Sequence, residues 1–216
     1  MNILKRFFQT SPQTLNSISA YDLWAQSYPA EAHNVLMQIE QASMLDVMPS
    51  FEDKIVLDLA CGTGRYGAIA DKEGAKQVIG LDNSPAMLNK GVISQVALAT
   101  SENIPLPDKS IDVVLCGLAL GHLPTIKASI HEIGRILKPE GVALVSDFHP
   151  YQYLTGARRI FEANKTHYAV EHYVHHLSDY FSLGQLANLQ ISALQEPIYQ
   201  DNKPVVLVIR YEKNAD

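Results

Sequence analysis

Short apolar strands alternate with helical segments through the middle of this chain, and this alternation limits its fold more than any other feature. Runs rich in Val, Ile and Leu predict buried strands at 54–60, 77–82, 96–99, 111–116 and 141–147. Helix signals follow three of these runs: a glycine turn, a Ser84-Pro85 cap and a stripe of isoleucines that Pro139 ends. Strands and helices at this spacing predict an α/β fold with a doubly wound, mostly parallel sheet.

The remaining segments complete a single predicted domain that spans residues 1–216. We expect residues 1–50 to form a loose polar arm and a helix, and residues 54–148 to form the core. Residues 149–177 are an aromatic, His-rich insertion. Residues 178–216 are expected to supply a closing helix and two final strands joined by a hairpin loop.

Composition excludes several classes of protein. The 216 residues are 47% hydrophobic, which is ordinary for a globular domain and too apolar for a disordered chain. No uncharged apolar run approaches the roughly 18 residues that a membrane span needs. The net charge of -6, without a block of Lys or Arg, disfavours a nucleic-acid partner. With only two cysteines and no secretory signal at the start, we expect a cytoplasmic protein without a disulfide framework.

The strongest chemical signal is a glycine turn directly after the first strand. Gly62, Gly64 and Gly67 satisfy the pattern G-x-G-x-x-G, and Asp82 ends the next strand, as in a dinucleotide-binding site. Asp58 precedes the turn, however, and a carboxylate there repels a pyrophosphate but attracts an ammonium or sulfonium cation. Asp82 suits the hydroxyls of a ribose. These residues favour S-adenosylmethionine, a cationic adenosine cofactor without phosphates, over NAD(P).

Four segments in this order resemble the motifs of class I S-adenosylmethionine-dependent methyltransferases, and the pattern is most similar to their type 11 small-molecule group. The segments are Val56–Gly67, Gly80–Leu88, Glu102–Leu123 and Glu132–Gly141. The resemblance covers roughly residues 20–150. It implies a Rossmann-like seven-stranded sheet with an antiparallel last strand, an N-terminal helical arm and a lid insertion after the fifth strand. The implied reaction is in-line methyl transfer, with S-adenosylhomocysteine as the product.

The same resemblance assigns residues to the cofactor. Asp58 and the backbone from Ala60 to Gly64 are expected to hold its methionine end, and Asp82 its ribose hydroxyls. The complete predicted set is Asp58, Ala60, Cys61, Gly62, Gly64, Asp82, Asn83, Met87, Thr100, Ser101, Glu102, Gly117 and Leu118. Thr100 stands where the family often has an aspartate for the adenine amino group, and a hydroxyl accepts that hydrogen bond less strongly than a carboxylate.

Aromatic and histidine residues near the predicted carboxyl edge of the sheet are candidates for an acceptor site. His122 follows the fourth strand and His149 the fifth, where ligands bind in open α/β folds. Either histidine is a candidate base for an acceptor that must lose a proton. Tyr21 and Tyr28 of the arm, together with His149 and Tyr173, are predicted to contact a small-molecule acceptor.

Several alternatives stay open. The histidines between 167 and 176 lack metal-ligand spacing and a local cysteine, so no metal is predicted, and solvent exposure suits most of them. Arg65 and Tyr66 suit packing or solvent, and Cys61 and Cys116 suit the core. The alternative functions are a module that binds S-adenosylmethionine without turnover and, with less support, an NAD(P)-dependent oxidoreductase. The methylated atom (O, N or activated C) and the choice between monomer and homodimer are undecided.

Overall fold

The computed structural model of the protein describes residues 12–200 and 202–215. The α-helices in this part of the chain are α1 Ser17–Trp24, α2 Val35–Asp46, α3 Arg65–Lys72, α4 Pro85–Leu88, α5 Lys127–Ile136, α6 Pro150–Leu154 and α7 Leu177–Leu186. A 3-10 turn covers Leu120–His122. The β-strands are β1 Gln13–Leu15, β2 Ile55–Leu59, β3 Gln77–Asp82, β4 Val96–Leu98, β5 Ile111–Gly117, β6 Leu137–Phe148, β7 Ile160–Ala163, β8 Thr166–Val170, β9 Leu189–Gln195, β10 Ile198–Tyr199, β11 Lys203–Pro204 and β12 Val206–Lys213.

Seven of these strands form one sheet in the order β4-β3-β2-β5-β6-β12-β9. Neighbouring strands are parallel from β4 to β6, and β12 is antiparallel to both β6 and β9. This is the predicted Rossmann-like, mostly parallel sheet with an antiparallel last strand, so the predicted fold class is confirmed.

Helices cover both faces of the sheet, which explains why its central strands are apolar throughout. On β5, Val114 belongs to a buried cluster with Ile130 of α5, whereas Leu115 belongs to a second cluster with Met44 of α2. Successive residues of a strand point to opposite faces, so the two clusters lie on the two sides of the sheet. The parallel strands between these layers all end at one edge, which stays open for a ligand.

The junction between α5 and β6 differs from the prediction. The sequence predicts a helix that Pro139 ends, whereas α5 ends at Ile136 and β6 already begins at Leu137. Glu140 has a positive φ of 62°, and the pairing with β5 jumps from Leu137 to Val142. Pro139 therefore lies in an irregular start of the strand, where its missing N–H is tolerated.

The N-terminal arm and the insertion after β6 are more ordered than the sequence predicts. β1 pairs in parallel with β8, and β8 pairs with β7, which makes a separate three-stranded sheet. The polar composition of the arm conceals β1, because this strand forms only against a partner far along the chain. Residues 1–11 of the predicted arm, together with Asp201 and Asp216, lie outside the described residues.

The end of the chain follows the prediction in outline. The first predicted closing strand is divided into β9 and β10, and β10 pairs with β11 in a short hairpin before β12. No helix within residues 12–200 and 202–215 combines the length and the apolar character of a membrane span.

The contact between α5 and α7 yields a stability prediction. A Cβ on Gly134 of α5 would lie 2.5 Å from the carbonyl oxygen of Ala187, which follows α7. Alanine is the better helix former by about 1 kcal/mol, but overpacking costs about 1–3 kcal/mol. We expect Gly134→Ala to lower the free energy of unfolding in urea by about 1–2 kcal/mol. Lys127→Ala, exposed in the first turn of α5, is the control; a more stable Gly134→Ala variant would contradict the packing argument.

Candidate active site

A deep cavity opens at the carboxyl edge of the sheet, where β2, β3, β4 and β5 end. Its empty volume, counted out to the mouth, is about 980 Å³. The loops that follow these strands form its walls, and the arm and the insertion contribute further side chains. This is the position at which doubly wound sheets bind their ligands.

The glycine turn between β2 and α3 forms the first wall. Gly62 and Gly64 have positive φ values of 55° and 92°, a region that strains other residues. A Cβ on Gly62 would meet the Met87 side chain at 3.1 Å, and a Cβ on Gly67 would overlap Ile93. The turn thus brings bare backbone to the cavity, as a ligand that approaches the main chain closely requires.

Two buried carboxylates hold this turn in place. Asp58 accepts a hydrogen bond from the N–H of Gly67 at 2.7 Å. Asp82 accepts from the N–H of Gly62 at 2.7 Å and from that of Ser84 at 2.8 Å. Burial raises the pKa of Asp82, and it raises the pKa of Asp58 to about 7 although the Gly67 bond opposes this. A cation beside these carboxyl groups would favour their charged forms.

The residues after β3 and β4 form the wall on the other side of Asp82. Asn83 and Met87 follow β3, and Thr100, Ser101 and Glu102 follow β4; all five line the cavity. They are the residues expected at the adenine, and the structure brings them to one place. Met87 is buried, so the wall that it forms is apolar.

The floor of the cavity lies at the end of β5. A Cβ on Gly117 would overlap the ring of Tyr66, so only glycine allows β5 to pass this close to α3. Leu118 has a positive φ of 55°, and its N–H donates to both the carbonyl and the hydroxyl oxygen of Ser146, each at 3.0 Å. These bonds fix the chain where it leaves the sheet.

A buried ion pair between Arg65 and Glu40, which lies outside the predicted motifs, supports this floor. Glu40 of α2 is fully buried, and its Oε2 accepts a hydrogen bond from Nη2 of Arg65 at 2.8 Å. Its Oε1 accepts from the hydroxyls of Tyr66 at 2.7 Å and of Ser146 at 2.5 Å. Arg65 and Tyr66 both line the cavity, so Glu40 fixes two of its polar side chains.

The sequence holds one signal for Glu40. It lies between Met37 and Met44 at helical spacing, and both methionines are buried, so it occupies the apolar face of α2. A carboxylate on such a face requires polar partners. Arg65 and Tyr66, which the sequence assigns to packing or solvent, are these partners.

The N-terminal arm forms the roof. Tyr21 of α1 lines the cavity. Two hydrogen bonds fasten the arm to the sheet edge: the Ser84 hydroxyl donates to Asp22 at 2.6 Å, and the Thr63 hydroxyl donates to the carbonyl oxygen of Pro29 at 3.1 Å. Thr63 belongs to the glycine turn, so the arm is tied directly to the first wall.

The arm, the loop after β5 and the insertion meet around His122. Nδ1 of His122 lies 2.8 Å from the carbonyl oxygen of Glu171, and we assign the ring proton to Nδ1 because a carbonyl only accepts. Nε2 then accepts from the Tyr21 hydroxyl at 3.0 Å and from Nη1 of Arg159 at 2.7 Å. The same Nη1 donates to the carbonyl oxygen of Leu118 at 2.9 Å. We call this group the His122 cluster; it consists of Tyr21, His122 and Arg159.

The side chains of this cluster have strongly shifted ionisation. Burial, with the nearby Arg159 cation, lowers the pKa of His122 to about 3, so the imidazole is neutral at pH 7. Burial also raises the pKa of Tyr21 and of Tyr28, which lines the same cavity. Arg159 is therefore the charged member of the cluster. No motif in the sequence predicts that Arg159 belongs to the site.

Most of the predicted cofactor residues line this one cavity. They are Asp58, Ala60, Cys61, Gly62, Asp82, Asn83, Met87, Thr100, Ser101, Glu102, Gly117 and Leu118. Gly64 does not line it, since it precedes α3 as the N-cap and faces Ile93. Of the predicted acceptor residues, Tyr21, Tyr28 and His122 line the cavity.

Two predicted acceptor residues lie elsewhere. His149 is the N-cap of α6, and its Nε2 lies 2.9 Å from Oε1 of Glu196. Tyr173 donates its backbone N–H to the carbonyl oxygen of Gly121 at 2.7 Å. Neither residue lines the cavity. A place after a strand locates the main chain at the sheet edge but does not determine where the side chain points.

The cysteines and the histidines offer no second reactive centre. Cys61 and Cys116 are buried, and burial raises the pKa of both thiols, so neither is a thiolate at neutral pH. Within the described ranges, no three His, Cys, Asp or Glu side chains gather in a way that could hold a metal ion.

The chain is similar to known methyltransferases in sequence. Residues 57–145 match the family described as a methyltransferase domain. The malonyl-[acyl-carrier protein] O-methyltransferase of Yersinia pestis is 28% identical over 176 residues, which cover 74% of this chain and 65% of that protein. The ubiquinone/menaquinone biosynthesis C-methyltransferase UbiE of Cupriavidus metallidurans is 34% identical over 103 residues, which cover 43% of this chain and 42% of that protein. The chain thus spans about two fifths to two thirds of the length of these curated relatives.

The chain is also similar to solved structures in fold. A crystal structure of an S-adenosylmethionine dependent methyltransferase from Mesorhizobium loti matches with a TM-score of 0.69 at 19% identity, over 81% of this chain and 97% of that chain. Residues 57–145 thus match a methyltransferase domain, and the chain has the fold of a protein described as an S-adenosylmethionine dependent methyltransferase. These findings support the predicted family and the predicted cofactor.

The cavity fits this cofactor on its own chemistry. Gly62 and Gly117 line the cavity, so a ligand meets residues without side chains at the turn and at the floor. Asp58 and Asp82 present carboxyl groups to a ligand whose methionine end is cationic and whose ribose donates hydrogen bonds. A ligand without phosphates avoids the repulsion that these carboxylates would exert on a pyrophosphate.

The Glu40 network yields a second stability prediction. Glu40→Ala leaves the Arg65 guanidinium, whose side chain is 11% exposed, without its counter-ion. We expect the free energy of unfolding in urea to fall by about 3–5 kcal/mol, because an unpaired buried charge is costly. Glu212→Ala, which removes the carboxylate 3.1 Å from Arg210 at the surface, is the matched control and should cost less than about 1 kcal/mol. Similar small losses in both variants would show that the buried pair is not structural.

Proposed function

We propose that the protein transfers a methyl group from S-adenosylmethionine to a small-molecule acceptor. One observation carries the proposal: the wall that suits the cofactor and the His122 cluster border the same cavity. A second molecule beside that cluster can therefore reach the reactive end of the cofactor. The names of the relatives support transfer to O or to C, since one is an O-methyltransferase and the other a C-methyltransferase.

The residues of the first two walls have distinct roles in this proposal. Asp58 and the backbone of Gly62 hold the methionine end, and Asp82 accepts from the ribose hydroxyls. Thr100, Ser101, Glu102, Asn83 and Met87 surround the adenine. When bound, the cofactor would supply a methyl group activated on a sulfonium; an aligned nucleophile would take that methyl carbon in line while the thioether S-adenosylhomocysteine leaves. The main task of the chain is alignment, because a well-oriented pair of reactants gains a large effective molarity, on the order of 10⁵ M or more.

The arm and residues 149–177 act as a lid over this cavity. Their strands β1 and β8 pair in one small sheet, so the two segments are mechanically joined. Tyr21 and Tyr28 from the arm and Arg159 from the insertion line the cavity beneath. We infer that the chain functions as one domain in which this joined lid excludes water and selects the acceptor.

His122 is a positioning residue in this proposal and not a general base. Its Nε2 already accepts hydrogen bonds from Tyr21 and Arg159, and its pKa of about 3 makes the ring a weak base at neutral pH. The other candidate base, His149, lies outside the cavity. The arrangement favours an acceptor that reacts without a protein base, with His122 holding the Tyr21 hydroxyl and the Arg159 guanidinium.

The assigned cofactor site predicts which ligands stabilise the protein. At about a hundred times their dissociation constants, S-adenosylmethionine and S-adenosylhomocysteine should each add about 2.7 kcal/mol to the free energy of unfolding. Asp82→Ala should weaken S-adenosylhomocysteine binding by roughly tenfold to a hundredfold, since hydrogen bonds to a charged group are lost. Asp71→Ala, exposed on α3, is the matched control and should bind like the natural chain. Thermal-shift titration and calorimetry measure these effects.

The same titration separates the alternatives. Stabilisation by NAD(P) alone would overturn the proposal in favour of an oxidoreductase. A second outcome is that the protein binds S-adenosylmethionine but releases no S-adenosylhomocysteine when carboxylate, phenol and amine acceptors are present. That result would show a binding module and not an enzyme.

The raised pKa of Asp58 predicts pH-dependent cofactor binding. Below about pH 7 the carboxyl group is largely neutral and attracts the α-ammonium group of the ligand only weakly, whereas above it the carboxylate attracts that group strongly. We therefore expect S-adenosylhomocysteine affinity to rise by up to about tenfold from about pH 5.5 to about pH 7.5. Calorimetry at several pH values measures this.

Two variants make the pH test specific. Asp58→Asn keeps an acceptor for the Gly67 N–H but removes the charge, so its affinity should change little with pH. Asp112→Asn is the control, because that carboxylate lies at the opposite end of β5, beside Lys138 at 2.8 Å. An unaltered pH profile in Asp58→Asn would refute the assignment of Asp58 to the methionine end.

A further inference from the structure

Arg159 stands between the cofactor cavity and a second cavity on its other side. The second cavity is lined by Arg158, Phe148, Tyr153 and His172 among others, and Arg159 lines both spaces. None of the carboxylates or loop residues assigned to the cofactor lines the second cavity. A ligand group bound at Arg159 can therefore extend away from the cofactor.

The hydrogen bonds of Arg159 leave part of its guanidinium available. Its bonds to the Leu118 carbonyl oxygen and to Nε2 of His122 use Nη1, and a third bond joins it to the Tyr21 hydroxyl. A guanidinium carries five N–H donors, so these three bonds leave two donors for a ligand. Two such donors on one edge match the two oxygens of a carboxylate.

The hydrogen-bond partners of Arg159 are uncharged, which distinguishes it from Arg65 in the same cavity. Arg65 pairs with the Glu40 carboxylate, whereas within the described ranges Arg159 forms no ion pair. The nearby Asp147 carboxylate accepts from the Tyr180 hydroxyl at 2.6 Å and from the Phe148 N–H at 2.7 Å. A cation placed beside neutral groups in a cavity is stabilised by an anionic ligand.

An unpartnered imidazole lies on the same side. Nδ1 of His172 is buried and has no hydrogen-bond partner among the described residues, although buried polar groups are nearly always satisfied. Burial, with the nearby Arg159 cation, lowers the pKa of His172 to about 4, so this ring is neutral and offers a hydrogen bond without a charge. The second cavity thus combines an available cation with an unused polar atom, next to the aromatic rings of Phe148 and Tyr153.

We propose that the methyl acceptor is a carboxylate-bearing small molecule whose carboxylate binds Arg159, with its remaining part directed into the second cavity. Arg159 is then the residue that determines acceptor specificity, and His122 positions it through the Nε2 bond. This inference rests on the proposed methyltransferase function. The alternative is that Arg159 binds the carboxylate of the cofactor itself, which has the same charge as the carboxylate of the proposed acceptor.

The test measures binding of small carboxylates to the full chain saturated with S-adenosylhomocysteine. The probes are acetate, succinate, benzoate and salicylate, each compared with its own amide, which has a similar shape and no charge. We expect at least one acid to bind roughly tenfold or more tightly than its amide, as a charged hydrogen-bonded pair implies. Arg159→Gln should abolish this preference, and Arg159→Lys should retain part of it because the charge stays.

A matched control and a separate readout keep the outcomes distinct. Lys165→Gln removes one positive charge from the exposed turn of the same β7–β8 hairpin and should keep the preference for acids. Equal binding of all acids and amides, or a preference that survives Arg159→Gln, would overturn the inference. A tenfold loss of S-adenosylhomocysteine affinity in Arg159→Gln would assign Arg159 to the cofactor carboxylate and overturn it as well. Failure of the natural chain to bind S-adenosylhomocysteine would instead refute the proposed function.

Discussion

Two hydrogen bonds from backbone to buried carboxylate hold the site of this protein together. The N–H of Gly67 donates to Asp58 and the N–H of Gly62 donates to Asp82, so the glycine turn is fixed between the ends of β2 and β3. If either carboxylate moved away, a buried backbone N–H would lose its hydrogen-bond partner. This cost keeps the turn rigid. The loop after β4 and the floor at the end of β5 line the same cavity as this turn, and Thr63 fastens the arm to it.

The burial of Asp58 and Asp82 explains why two acidic groups are tolerated in one site. Burial favours the neutral carboxyl group, and the two raised pKa values reflect it. A cationic ligand would reverse this preference and favour the charged forms of both groups. At the other side of the cavity the polarity is opposite, since Arg159 lies beside a neutral histidine. A molecule with a positive end and a second molecule with a negative group can therefore meet there without mutual repulsion.

The sequence predicted the parts of the site that depend on local pattern. The strands that carry Asp58 and Asp82 and the turn through Gly62 lie where the spacing placed them, and the wall beginning at Thr100 lies where the family resemblance placed it. It did not predict the direction of side chains that follow a strand, and His149 consequently lies outside the cavity. It also did not predict Glu40 or Arg159, because each matters through partners that are remote in the chain. The same holds for β1, whose polar residues become a strand only beside β8.

The sequence by itself determined the sheet, the glycine turn and the two carboxylates beside it, because the spacing of apolar residues, the backbone angles of glycine and the ends of strands depend on only a few neighbouring residues. Only the tertiary structure decided which side chains share the acceptor space and in what ionisation state. His122 is a predicted base by its position and a neutral hydrogen-bond acceptor by its surroundings. The physical reason is that burial and the Arg159 cation set its pKa, and both arise from packing between segments far apart in the chain.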